Sequence, residues 1–379
     1  LLDLITRVCD ALDLPFTMPK VSILLPVGIS FYVFQALSYM IDVYKGRVKP
    51  ERNLFKYALF VSFFPQLVAG PIERSGRLLR QVSKPHDFDG KRVRDGLLIM
   101  LLGYFEKMVI ADRAAMYVDA VFGGWYYASG AQIALATAVF AVQDLCDFAG
   151  YSYIAIGAAK VLGIDLMTNF RQPYFAHSVQ NFWARWHISL STWFRDYIYF
   201  PLGAGRGSKL RKSFNLMVVY TLSGLWHGAA LKYVAWGMLN GAFQVAEGLI
   251  PPRKPRHPRL HLLFSILRTD FLILITMLVF RAGSLSTALD MLIKIPTEWG
   301  IGDFATGFSF MQALCLGVCT VILFLMELLH EKRKTLTELT DRLPSAVRGA
   351  LYLAAVMAIV IFGVWGPGYS AQAFIYFQF

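Results

Sequence analysis

Charge is scarce in this sequence: Asp, Glu, Lys and Arg make up 16% of the 379 residues, against 56% apolar and 15% aromatic. A soluble globular chain carries about 25% charged residues. Too few polar side chains remain to cover a soluble surface of this size, whereas lipid needs no such cover. Composition therefore disfavours soluble domains and predicts an all-α, polytopic membrane bundle. Cysteine is scarce too. Cys9, Cys146, Cys315 and Cys319 lie in or beside apolar segments and read as small core residues, with no disulfide framework and no zinc site. No Gly-rich phosphate loop, GxSxG elbow or metal motif occurs, so a serine-triad hydrolase has no support and no bound cofactor or metal is expected. There is no internal repeat, low-complexity tract or visible signal peptide. Residue 1 is Leu, so the native N-terminus is expected to be missing and residues 1–379 are read as one integral-membrane domain.

The net charge is +12, but Lys and Arg fall in short runs between apolar stretches. That is the pattern of cytoplasmic loops rather than of a nucleic-acid face, so no nucleic-acid partner is expected and the bilayer is the surrounding medium. Stretches long enough to span lie near 21–41, 93–122, 131–161, 262–280, 307–329 and 349–366. The longer region 213–249 contains Gly224, Gly228 and Gly237 and reads as two shorter helices meeting near His227 to Ala230. The basic loops Lys45–Arg52, Arg74–Arg94, Arg206–Lys212, Arg253–Arg259 and Lys332–Arg348 are placed in the cytoplasm, Phe122–Gly130 and Gly283–Thr306 outside, with the C-terminus outside.

Residues 53–72, NLFKYALFVSFFPQLVAGPI, are apolar yet lie between two basic loops of the same side and contain Pro65 and Pro71. Each proline removes a backbone donor. The segment is expected to be re-entrant or interfacial, and broken backbone at that depth must be enclosed by protein or line a cavity. In the aromatic stretch 162–212, Trp183 to Phe200 has helical periodicity. Trp186, Leu190, Trp193 and Tyr197 make an apolar stripe, and Arg185, Ser189, Thr192 and Asp196 a polar one. An amphipathic helix at the interface or tucked into the bundle is expected.

Among the seven histidines, His86, His257, His261 and His330 read as loop or helix-end residues, and His177 as structural. His227 lies in TLSGLWHGAA, and no other Asp, Glu, Lys, Arg or His falls between Lys212 and Lys232. Polar groups inside a membrane helix are costly and need a partner or a function. Small residues around it would admit a substrate or allow close helix packing, so a general base and a hydrogen-bonded packing residue both fit. His187 reads as a buried core histidine, or as lining a route to His227. Asp144 and Asp147, inside an apolar helix, are expected to form a structural ion pair with Arg185 or Arg195.

The segments LPVGISFYVFQALSYMIDVYKG, SFFPQLVAGPIER, CDFAGYSYIAIGAAKVLG, NFRQPYFAHSVQNFWARWHISLSTWFRDYIYFPLG, LSGLWHGAALKYVAWGMLNG and FIYFQF resemble, in order and spacing, the bacterial membrane-bound O-acyltransferases, especially alginate O-acetyltransferase membrane subunits. The resemblance runs from about Leu25 to Phe379 and departs at Tyr153, where an acidic or polar residue is usual, and at Gly203–Arg206. It implies helices, re-entrant and interfacial pieces included, around a central tunnel. It implies that His227 is the catalytic histidine and His187 its second characteristic one, with Trp186, Ser189, Trp193, Arg195, Asp196 and Trp226 lining the tunnel. It implies acetyl transfer from a cytoplasmic thioester, acetyl-coenzyme A or an acyl-carrier protein, to a hydroxyl of an extracytoplasmic polysaccharide at the bacterial inner membrane, with a separate extracytoplasmic acetyltransferase as partner. D-alanyl transfer to teichoic-acid-like polymers, a transporter or flippase, and a non-catalytic scaffold of a polysaccharide export complex are the alternatives.

Overall fold

The computed structural model describes residues 28–68, 70–250, 257–300, 308–332 and 336–365. Among these, every regular element is a helix. α1 (Ile29–Tyr44) leads to the short α2 (Leu54–Val61) and α3 (Phe64–Leu67), then to α4 (Ser75–Val82). α5 (Gly90–Tyr104) runs through a π-helical turn, Phe105–Ala111, into α6 (Asp112–Gly123), and α7 (Gly130–Val161) returns. The aromatic segment carries α8 (Val179–Trp183) and α9 (Ile188–Phe194), with a second π turn at Arg195–Tyr199. α10 (Lys209–His227) and α11 (Leu231–Leu249) form a hairpin, followed by α12 (Pro258–Arg281), α13 (Leu285–Thr297), α14 (Phe310–Glu331), α15 (Leu336–Asp341) and α16 (Ser345–Phe362).

The helices fall where the apolar runs predict them, and the 213–249 region divides between His227 and Leu231 as expected. Residues 21–27, Cys9, the FIYFQF motif and the C-terminus lie outside the described residues. α7, α12, α14 and α16 are long and apolar enough to cross a membrane, and 72%, 33%, 22% and 6% of their apolar windows are buried in protein. That ranking makes α7 the centre and α16 the most peripheral of the four. Helix starts follow the capping residues. Ser129 with Gln132, and Ser309 with Gln312, form capping boxes on α7 and α14, satisfying amides that a helix end would otherwise leave without partners.

Glycines let α7 and the α10–α11 hairpin pack at backbone distance. A methyl at Gly103 on α5 would sit 2.5 Å from the Gly150 carbonyl oxygen of α7, and one at Gly224 would sit 2.2 Å from the Tyr233 carbonyl oxygen. Ion pairs tie the helix ends on both sides. Arg94–Asp341 and Arg185–Glu331, each 2.7 Å, lie on the side of the basic loops. Arg281–Asp119, at 2.5 Å, lies on the other.

Residues 53–72 form helices of 8 and 4 residues, too short for a crossing at 1.5 Å per residue. The segment is pinned against α1 instead. Gln35 Nε2 donates to the Phe60 carbonyl at 2.6 Å, and Gln66 Nε2 donates to Gln35 Oε1 at 2.8 Å. On the way back, Glu73 accepts the Met167 amide. Its burial pushes the carboxyl up to about 7, against the opposing pull of that amide and of Arg77.

The aromatic segment departs from the single helix expected over 183–200. The helix stops at Trp183 and restarts at Ile188, with His187 in the left-handed region at φ 43°. Backbone bonds to the neighbouring 169–171 segment, Arg171 N–H to the Arg185 carbonyl and Ile188 N–H to the Asn169 carbonyl, both 2.9 Å, engage groups that a continuous helix would need for itself. Trp186, Leu190, Trp193 and Phe194 are buried, and so is Ser189 of the supposed polar stripe. The segment is turned into the bundle.

Lys45 and Arg80 flank the re-entrant segment, and both are exposed. Cysteines placed at these positions are expected to react with a membrane-impermeant maleimide from the same, cytoplasmic side. Labelling from opposite sides would mean that residues 53–72 cross.

Candidate active site

α10 ends at His227 because Gly228 follows with φ 155°, a backbone conformation that glycine adopts most easily. A methyl there would also meet the Tyr233 ring at 2.7 Å. The break turns the chain into α11 and leaves the His227 side chain at the inner tip of the hairpin. His227 is 8% exposed. Its ring lies 4.8 Å from Trp226, 5.0 Å from Trp236 and 5.1 Å from Phe280, centroid to centroid and edge to face.

His187 comes from the break between α8 and α9 and is 1% exposed. A buried polar network fixes its backbone. Asn169 Nδ2 donates to Ser152 Oγ of α7 at 2.9 Å, Ser189 Oγ donates to Asn169 Oδ1 at 2.6 Å, and the Ile72 amide donates to Ser189 Oγ at 2.9 Å. The same chain of bonds anchors the re-entrant segment. A non-glycine residue in the left-handed region is uncommon and persists where its surroundings enforce it, often at functional sites. The His187 ring stands edge-on to Phe148 at 4.6 Å, and Trp226 lies 6.1 Å from it. One indole, Trp226, therefore contacts both imidazoles.

The two histidines line one cavity together with Asp144. Trp183, Trp186 and Trp236 form aromatic walls, and Leu190, Met277 and Phe280 also line it. Trp183 is held by its Nε1–H bond to Asn240 Oδ1 at 3.2 Å. About 20 Å³ is open to the centre of a water-sized sphere, room for little more than one water.

The other expected tunnel residues are placed differently. Trp186 lines the cavity. Ser189 is a strut of the network behind His187, and Trp193 packs on Phe34 with its Nε1–H donated to the Phe34 carbonyl at 3.0 Å. Arg195 and Asp196 pair with each other at 2.9 Å with partly exposed side chains, outside the cavity. Tyr153, where the resemblance departs, packs against the main apolar core.

The ion pair expected for Asp144 and Asp147 is corrected. Arg185 is taken by Glu331 and Arg195 by Asp196. Asp147 pairs with Lys107 at 2.5 Å, and Lys107 also reaches Asp112 at 2.8 Å. Lys107 and Asp112 sit in and just after the π-helical turn, which places both groups against α7. Asp144 lines the cavity instead. Its own helix carries a hint: the residues a turn away, Phe140, Ala141 and Phe148, offer it no cation. Trp236, Met277 and Phe280 were not legible as cavity walls, because they arrive from helices distant in sequence.

Residues 50–256, which include both histidines, match the sequence profile of MBOAT, the membrane-bound O-acyltransferase family. The chain belongs to this family. It is 39% identical over 278 residues to the protein named "Probable alginate O-acetylase AlgI" of Pseudomonas aeruginosa, covering 73% of this chain and 52% of the relative. It is 33% identical over 297 residues to the peptidoglycan O-acetyltransferase of Helicobacter pylori, covering 71% and 56%. To the teichoic acid D-alanyltransferase of Bacillus subtilis it is 26% identical over 232 residues, covering 56% of each. The chain thus spans a little over half the length of these relatives.

The Lys107 cluster is expected to be structural in this family member. Lys107→Met strands two buried carboxylates and should cost about 3–5 kcal/mol, read as a lower melting temperature of the detergent-solubilised protein. Adding Asp147→Asn should recover part of the loss. A Lys107→Met protein that melts like wild type would contradict the assignment.

Proposed function

We propose that this chain carries the reaction centre of an O-acyltransferase of the bacterial inner membrane. It takes an acyl group, acetyl in this reading, from a cytoplasmic thioester of coenzyme A or of a carrier protein. It delivers that group toward a hydroxyl of an extracytoplasmic polysaccharide, directly or through a separate extracytoplasmic acetyltransferase. The observation that carries the reading is the meeting of His187 and His227 in one apolar cavity at the centre of the bundle. The two relatives whose names specify O-acetyl transfer are 39% and 33% identical. The relative named for D-alanyl transfer is 26% identical, which supports acetyl over alanyl.

In the proposed reaction the acceptor oxygen attacks the thioester carbonyl carbon while His227 takes the hydroxyl proton. The carbon–sulfur bond then breaks, and the thiolate leaves with the proton that His227 returns. Protons balance without a net change on the protein. A neutral imidazole has one free lone pair for this purpose, and such assistance contributes roughly 10²–10⁴-fold. An acetyl thioester needs more room than one water, so a wall must give. Met277, unbranched and flexible, is the lining residue that moves at least cost.

His227→Gln keeps polarity and size but cannot accept a proton at neutral pH. It should leave membrane insertion intact and lower O-acetylation of the cell-surface polymer by about 10²-fold or more. A well-inserted His227→Gln protein with near wild-type O-acetylation would reduce His227 to a packing residue. Uptake or export of a solute by the wild type without thioester consumption would favour a transporter.

A further inference from the structure

Asp144 is a carboxylic acid near the middle of the central helix, 7% exposed, on the wall of the cavity that holds His187 and His227. The nearby cations are committed elsewhere: Lys107 to Asp112 and Asp147, Arg185 to Glu331, and Arg195 to Asp196. Among the described residues, no cation forms an ion pair with Asp144. Among the described residues, the remaining lining besides the two imidazoles is indole, phenyl, leucyl and methionyl surface. An acid at membrane depth without a cation is a liability to stability. Asp147, one turn away on the same helix, has the lysine partner that a structural acid needs; Asp144 has a pair of imidazoles in its cavity instead.

We propose that Asp144 is a positioning residue of the acyl transfer, acting through His227. The inference rests on the functional reading above. During transfer the proton of the acceptor hydroxyl moves to a ring nitrogen of His227 as the oxygen–carbon bond forms. That creates an imidazolium in a space with almost no solvent. In this proposal the Asp144 carboxyl, lining the same cavity, comes to accept a ring N–H of the His227 imidazolium as it forms and balances the positive charge while it lasts. When the carbon–sulfur bond breaks, the proton passes from His227 to the departing sulfur, and Asp144 ends as it began. The group never touches the acyl carbon or the thiol. It should therefore affect the rate of the chemical step and leave binding of the donor unchanged.

The test uses the full chain reconstituted in lipid vesicles, with acetyl-coenzyme A as donor, an oligosaccharide as hydroxyl acceptor, and thiol release as readout. Asp144→Asn and Asp144→Leu are compared with wild type for kcat, for KM toward acetyl-coenzyme A, and for melting temperature. Both variants should lose roughly 10²-fold in kcat with KM within about twofold. Asp144→Leu should melt at or above the wild-type temperature, because replacing a buried acid that lacks a cation with an apolar group of similar size is neutral or stabilising. Wild-type kcat in either variant would overturn the proposal. So would an Asp144→Leu protein that melts several degrees lower, since that marks a structural role. A wild-type protein that releases no thiol would overturn the functional reading itself.

Discussion

A polar side chain survives at membrane depth only when protein encloses it and supplies its partners. In this molecule one helix, Gly130–Val161, meets that requirement for the polar groups behind His187 and for the Lys107 cluster. Asp147 on it holds Lys107, and Ser152 holds Asn169 and through it the residues just after His187. The Ala141 carbonyl accepts the Tyr174 hydroxyl at 2.6 Å, and Phe148 supports the His187 ring. Its glycines bring the Gly90–Tyr104 helix to backbone distance and so close the opposite side. With that helix displaced, both the re-entrant segment and the second histidine would lose their anchors.

The two imidazoles reach one cavity by different devices. His227 ends a helix because glycine follows it, and the hairpin places it at depth without a separate support. His187 occupies a backbone conformation that costs free energy, and a network of Ser152, Asn169, Ser189 and the Ile72 amide holds it there. Stability spent at one point of the fold and recovered at another is a common feature of functional sites. The aromatic walls add bulk and exclude water, so the few polar groups inside act in a low-dielectric space where each interaction is stronger than in solution.

Much of this was legible in the sequence. The apolar runs gave the helix positions, because span length and loop charge are dictated by the bilayer alone. The prolines at 65 and 71 pointed to a broken segment, and two short helices are found there; the glycines around His227 foretold the break between its helices. The fate of the aromatic segment was not legible. Its periodicity is helical, but hydrogen bonds from residues 169–171 interrupt it at His187, and no local signal encodes a partner some 15 residues upstream. The same limit applies to Asp144. Its neighbours in sequence leave it without a cation, yet only the arrangement of the helices shows that it lines one cavity with the histidines. Nor did the sequence show that Ser189, expected in the tunnel from the resemblance, is bonded to Asn169 and Ile72.

The central claim is that the acyl group reacts in the cavity between His187 and His227. The most direct measurement is a cryo-electron microscopy structure of the full chain with a non-hydrolysable thioether analogue of acetyl-coenzyme A. The account predicts the analogue's carbonyl carbon inside that cavity, close enough that a hydroxyl attacking it would lie about 3 Å from a His227 ring nitrogen, with the nucleotide end toward the basic loops. An analogue seated with its carbonyl in another part of the bundle, and His227 still sealed behind Trp226, Trp236 and Phe280, would contradict it.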